Sequence, residues 1–244
     1  MTQAHTLSRS AAMPVFDLRR MAAGPRADDA FLGDRLAVSH HPEWEFWRST
    51  AAGDRSGRFA SRARHLVVIV LAGSLTLRDE THETRLEAGD SALIAAGTSF
   101  DWQGSGAAQW IVNGYRDAAT RNGAVPGISR VDPDAPQTAS PPPAERLLVG
   151  APPECTKLEL AGAGDGCWSA GLWTATPYER IPVRYGYYEM MHLHAGAVTV
   201  FDETGAATTF GAGDVFLVPE GVSAGWRSTT DVRKLWSIFT PART

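Results

Sequence analysis

The chain of 244 residues is poor in the features that would assign it to several large classes of protein. No apolar run approaches the ~20 residues that a membrane-spanning helix needs, so no membrane partner is expected. The N-terminal stretch lacks a continuous apolar segment followed by a small-residue cleavage site, so the expectation is a cytoplasmic protein, not a secreted one. Cysteine is nearly absent: Cys155 and Cys167 form no CxxC pair and suggest neither a disulfide framework nor a zinc site. Neither has a base adjacent in sequence, so both read as inert thiols. Lysine occurs only at 157 and 234, and the net charge of −4 leaves no basic footprint for nucleic acid.

What is present is a glycine-and-tryptophan frame that occurs twice. The first copy runs Leu71-Ala72-Gly73, Ala88-Gly89-Asp90, Gly97, Trp102; the second runs Leu193-His194-Ala195-Gly196, Ala212-Gly213-Asp214, Gly221, Trp226. From the first Gly to Gly-Asp the spacing is 16 residues in one copy and 17 in the other, and from that Gly to Trp it is 13 in both. Such a match marks a duplication. Around each frame lie short apolar or alternating runs bounded by turn residues, among them His65 to Leu71, Asp214 to Val218 and Lys234 to Phe239. Runs of that length and spacing predict an all-β chain of sandwich or barrel type. The segmentation that follows is an N-terminal arm over 1–35, a first β unit over 36–116, a proline-rich connector over 117–153 and a second β unit over 154–244.

The stretch from Tyr187 to Trp226 resembles the cupins, small jelly-roll barrels also described as double-stranded β-helices. Glu189 and Gly196 occupy the last two places of that family's first motif, and Gly213, Pro219 and Gly221 match its second. The resemblance implies two tandem cupin barrels of the RmlC-like superfamily. Trp173, Thr176-Pro177, Glu189 and Trp226 together resemble the subgroup named for ureidoglycine aminohydrolase, a broad group whose name does not fix a substrate. Cupins commonly pair edge strands or sheets between subunits, so the resemblance also implies a homodimer.

Family metal sites use two histidines and a carboxylate from the first motif and a histidine from the second, a set suited to Mn, Fe, Ni or Zn. Here the first-motif histidine positions fall on Val183 and Tyr185, or on Pro182 and Arg184, and the second-motif position is Ala224. In the first unit Leu66 replaces the glutamate, Arg62 and Arg64 fall near the histidine places, and Phe100 replaces the last histidine. The inventory predicts no metal and no cofactor in either barrel. His192 and His194 form a histidine pair of their own, but strand alternation puts them on the face opposite Glu189. They read as interface or surface imidazoles, with an outer-face metal site as the alternative. His40, His41, Trp44 and Trp47 read as aromatic packing ahead of the first barrel.

The resemblance implies that Glu189 points into the second barrel, and by the same alternation Tyr185, Tyr187, Met191 and Leu193 then do so too, with Trp173, Trp226 and Trp236 as candidates to join them. Glu189 is the candidate catalytic residue; Trp173, Tyr185, Tyr187, Met191, Trp226 and Trp236 are the candidate ligand-binding residues. A carboxylate enclosed by aromatics loses hydration, which suits a general acid or base; with Trp or Tyr faces nearby it also suits an ammonium or amide donor of a ligand. The alternative is that Tyr185 or Tyr187 hydrogen-bonds Glu189 and the group only holds the barrel together. Lys234 reads as a surface salt-bridging residue. In the first barrel, Arg62, Arg64, Leu66, Val68 and Val70 form an inward strip suited to a scaffold, the arginines serving alternatively as carboxylate clamps.

The expected function is metal-independent binding of a small organic molecule in the second barrel, with acid–base turnover of an amide, amine or carbohydrate-like compound by Glu189 as the available chemistry. The alternatives are a metal-dependent aminohydrolase of the ureidoglycine type, and a ligand-sensing or scaffold protein without catalysis that dimerises through the face bearing His192 and His194.

Overall fold

A computed structural model describes residues 15–38, 41–60, 63–117 and 127–242; His40 and Arg62 lie outside them. Strands make up nearly all the regular structure, and the one helical element among the described residues is the 3-10 turn Glu145–Leu147. Among the described residues no helix is long and apolar enough to cross a membrane.

The first barrel is organised around two long strands, His65–Arg78 and Ser99–Tyr115, paired antiparallel. Their register shifts between Val70 and Ser74, where Gly73 has φ 64° and a Cβ would stand 2.5 Å from the Ser105 carbonyl oxygen. The second barrel repeats the device at Gly196, with φ 79° and a Cβ position 2.1 Å from the Asp231 carbonyl oxygen. Only glycine tolerates that backbone at such close approach, which explains why the repeat begins on it. The second barrel has a seven-stranded sheet that includes Cys155–Gly162, Trp168–Ala175, Val232–Phe239 and Tyr188–Ala195. Opposite it stands a five-stranded sheet that includes Glu179–Arg184, Ser223–Arg227 and Ala197–Phe201.

The paired aspartates of the frame do the same work twice. Asp90 Oδ2 accepts the Glu87 amide and Asp214 Oδ2 accepts the Gly211 amide, each at 2.8 Å, closing the turn before the next strand. Their other oxygens take arginines from outside the repeat: Arg130 at 2.8 Å on Asp90, and Arg19 at 2.5 Å on Asp214.

Among the described residues there are three apolar clusters, one inside each barrel and one between them. In the first barrel Leu66, Val68 and Val70 point inward, as alternation predicts, and Phe31 fills the remaining space against Phe59, Phe100 and Trp110. Arg64 donates to Glu45 at 2.6 Å and lies over Trp47, so its guanidinium is engaged by a carboxylate of the chain itself.

Three features differ from the sequence-based expectation. The span expected as a loose arm holds strands from Phe16 onward: Phe16–Asp17 joins the second barrel by pairing with Val215–Val218, and Ala23–Arg26 and Asp34–Leu36 extend the first barrel. The connector is likewise woven in, because Ile128–Arg130 pairs with Ser91–Ile94, Thr138–Ser140 with Cys155–Gly162, and Leu148–Val149 with Glu179–Arg184. Proline is tolerated beside such edge strands, where a missing N–H breaks no ladder.

The third difference concerns His192 and His194. They point out of the second barrel as expected, but into the contact with the first, where Ser91 Oγ lies 3.3 Å from His192 Nδ1. His192 is buried, so its imidazole cannot form a surface through which subunits dimerise.

Candidate functional site

The second barrel holds an open-mouthed cavity of about 500 Å³. Its floor is the concave face of the larger sheet, and register decides what reaches it. Trp173 pairs with Lys234, Lys234 with Leu193, Trp236 with Met191 and Ile238 with Glu189. Alternate residues of neighbouring strands share a face, so Trp173, Glu189, Met191, Lys234 and Trp236 all project to the same side. Gly171 makes room for Trp236: a Cβ there would stand 2.7 Å from Trp236 Cζ2 and 2.2 Å from the Leu158 carbonyl oxygen.

Six of the seven sequence-predicted residues, Glu189, Trp173, Tyr185, Tyr187, Trp226 and Trp236, line this one cavity. The seventh, Met191, is fully buried, with its sulfur 3.2 Å from Lys234 Nζ. The structure therefore brings the candidate residues together.

The partner of Glu189 is neither tyrosine but Lys234, whose Nζ donates to Oε1 at 2.7 Å. That corrects the expectation of Lys234 as a surface residue: it is 8% exposed, and its ammonium lies 4.9 Å from the Trp173 ring centre and 5.1 Å from that of Trp226. The aromatic faces that would suit a ligand ammonium thus already hold a cation of the chain. Tyr178 completes the group, stacked on Trp226 at 6.1 Å and edge-on to Trp173 at 6.3 Å.

The opposite wall carries Arg180, which the sequence does not single out. Its Nη2 donates to the Tyr185 hydroxyl at 3.1 Å and to the Ala224 carbonyl at 3.2 Å. The strand bulges between Arg180 and Val183, which breaks the alternation that would otherwise put Arg180 and the exposed Arg184 on the same face. The carboxylate of Glu189, together with burial, pushes the Tyr187 phenol above its ordinary range, and burial does the same for Tyr178 and Tyr185. All three stay protonated and able to donate. Burial also raises the Cys155 thiol, which lines the same cavity, so it remains a thiol near neutral pH.

The residues do not fit a divalent metal. Val183 and Ala224, two of the family's ligand positions, are register partners on the far sheet and present only hydrocarbon, and the Tyr185 hydroxyl is held by Arg180. Two carboxylates line the cavity, Glu159 and Glu189, and Glu189 already faces an ammonium at 2.7 Å. No group of three or more metal-ligating side chains occurs among the described residues.

Comparison with known proteins agrees with this architecture. Residues 162–236 match the family model of the EutQ-like cupin domain. Among curated proteins none matches. A protein of unknown function of the DUF861 family from Pseudomonas syringae pv. tomato str. DC3000 is 25% identical, with 89% of this chain and 92% of that one covered at a TM-score of 0.75. A cupin 2 conserved barrel domain protein from Leptotrichia buccalis is 10% identical, covering 95% and 99% at a TM-score of 0.63. The protein Ylba from E. coli, also DUF861, is 9% identical, covering 98% and 96% at a TM-score of 0.61. The fold is a tandem cupin, and the matches support a place in the RmlC-like cupin superfamily.

Proposed function

We propose that the second barrel binds a small organic molecule without a metal ion, and that Glu189 and Lys234 move a proton on it. One observation carries the reading: a carboxylate and an ammonium 2.7 Å apart on the floor of a cavity walled by tryptophan and tyrosine. Ligand sites combine aromatic walls with a few precisely placed polar groups, and this cavity pairs tryptophan and tyrosine faces with charged side chains from both sheets. Glu189 is placed to accept a proton from a bound molecule and Lys234 to return one, as paired acid and base. Because Lys234 occupies the aromatic faces, compounds without a cationic amine suit the site better than amines.

The test is a fragment screen by thermal shift on the wild type, repeated on Trp173→Ala and Glu189→Gln. Hits that vanish in Trp173→Ala support the cavity, and hits whose turnover disappears in Glu189→Gln while binding persists support proton transfer. Hits indifferent to both substitutions would remove the proposal.

Kinship with the ureidoglycine aminohydrolase subgroup is part of the same reading, supported by the positions of Glu189 and Trp226; its metal-dependent chemistry is not, given the residues at the ligand positions. Stoichiometric Mn, Fe, Ni or Zn in the purified protein would reverse that judgement. We also propose a cytoplasmic location, on the sequence pattern, and a homodimer, on the resemblance alone, for which sedimentation at the monomer mass is the opposing result. Since His192 lies inside the molecule, any such dimer uses another surface.

A further inference from the structure

We infer that the ligand of the second barrel is a small monocarboxylate with a planar body, held through its carboxylate by Arg180 and Trp226. The inference rests on the proposed binding role of this cavity and specifies its ligand class. Arg180 and Trp226 are register partners on adjacent strands, and both line the cavity. Each has a buried donor, Arg180 Nε and Trp226 Nε1, with no hydrogen-bond partner among the described residues. Leaving such donors unmade is costly inside a protein, and these two belong to register partners on one wall of the cavity.

Charge narrows the acceptor to an anion. Lys234 is matched by Glu189, but the partners of Arg180 are a phenol and a backbone carbonyl, both neutral. A largely enclosed guanidinium without a counter-charge is unfavourable until an anion reaches it. One surplus positive charge matches a carboxylate, and two N–H groups match its two oxygens. A phosphate dianion would bring a second negative charge to a wall facing Glu189. The remaining walls include the flat aromatic surfaces of Trp173, Trp236 and Tyr187, which suit a planar body. The arrangement sets the carboxylate on the Arg180 wall and the rest of the molecule towards the Glu189–Lys234 pair.

Isothermal titration of the full chain with benzoate, benzamide and inorganic phosphate tests the assignment. Benzoate is expected to bind about tenfold or more tightly than benzamide, the scale of a hydrogen bond to a charged group. Trp226→Phe keeps the ring and removes the N–H; Arg180→Lys keeps the charge and removes Nε. Each is expected to weaken benzoate by about tenfold and the neutral benzamide by less. Equal affinity for benzoate and benzamide, unchanged benzoate binding in both variants, or displacement of benzoate by an equal concentration of phosphate would each overturn the carboxylate assignment and leave the cavity's binding role standing. Failure of both benzoate and benzamide, together with failure of the neutral fragments, would overturn both.

Discussion

Lys234 Nζ lies 2.7 Å from Glu189 Oε1, with the two side chains 9% and 7% exposed. Removing either partner strands the other charge in a low-dielectric barrel. Glu189→Gln and Lys234→Met are each expected to lose ~3–5 kcal/mol of stability, and the double substitution much less than their sum. Guanidinium unfolding of the four proteins measures the cycle; additive single effects would show that the pair is not coupled.

The wall beneath Trp236 depends on the absence of a side chain at 171. Gly171→Ala places a methyl 2.2 Å from a backbone oxygen and 2.7 Å from the indole, so something must move. A loss of ~2 kcal/mol or more, typical of overpacking, should accompany a changed near-ultraviolet circular dichroism from the displaced Trp236. An unchanged spectrum would mean that the indole does not lean on this glycine.

The first barrel is filled where the second is open, and Phe31 makes much of the difference. Its ring centre lies 5.2 Å from Phe59 and 5.0 Å from Phe100, and it is fully buried. Phe31→Ala is expected to cost ~3–5 kcal/mol. Since Phe31 belongs to the N-terminal segment, limited proteolysis of that segment should accelerate in the variant.

Burial lowers the His192 imidazole to about 3, aided by His194 and by Arg19. His194 is also lowered, by burial and Arg233, against opposing effects from Asp134 and Asp90. An unfolded histidine titrates near ~6.5, so between that value and about 3 the unfolded chain binds more protons than the folded one. The buried-neutral contribution is therefore fully present above ~6.5 and lost as pH falls, at up to ~1.4 kcal/mol per pH unit from His192 alone. Denaturation midpoints between pH 7.5 and 4.5 should show this slope, flattened in His192→Gln. An equal slope in that variant would assign the acid sensitivity to other groups.

The duplicated frame makes the barrels legible because its residues each meet a local geometric need, with Gly73 and Gly196 at the bends and Asp90 and Asp214 at the turns. Once the resemblance turns Glu189 inward, alternation is enough to carry Met191 with it, since Tyr188–Ala195 pairs regularly as far as Leu193. The inward placement of Lys234 also has a signal in the sequence, because it shares the parity of Trp236, itself a cavity candidate. Its neighbour Arg233 points the other way and says nothing about that parity. Arg180 carries no comparable signal, because the bulge before Val183 cannot be seen in composition or period. The strands of the arm and connector are invisible for a related reason: they are two to four residues long and owe their conformation to the edges they join.

The arginines on Asp90 and Asp214 come from segments that were never duplicated, and Phe16 pairs with Leu217 at the far end of the chain. Each barrel is thus finished by sequence that lies outside its own repeat. The two halves are not interchangeable cassettes: a second barrel transplanted alone would leave behind the strand and the guanidinium that close its edge. Any successful fusion or shuffling of these halves must carry residues 15–20 with the barrel furthest from them in sequence.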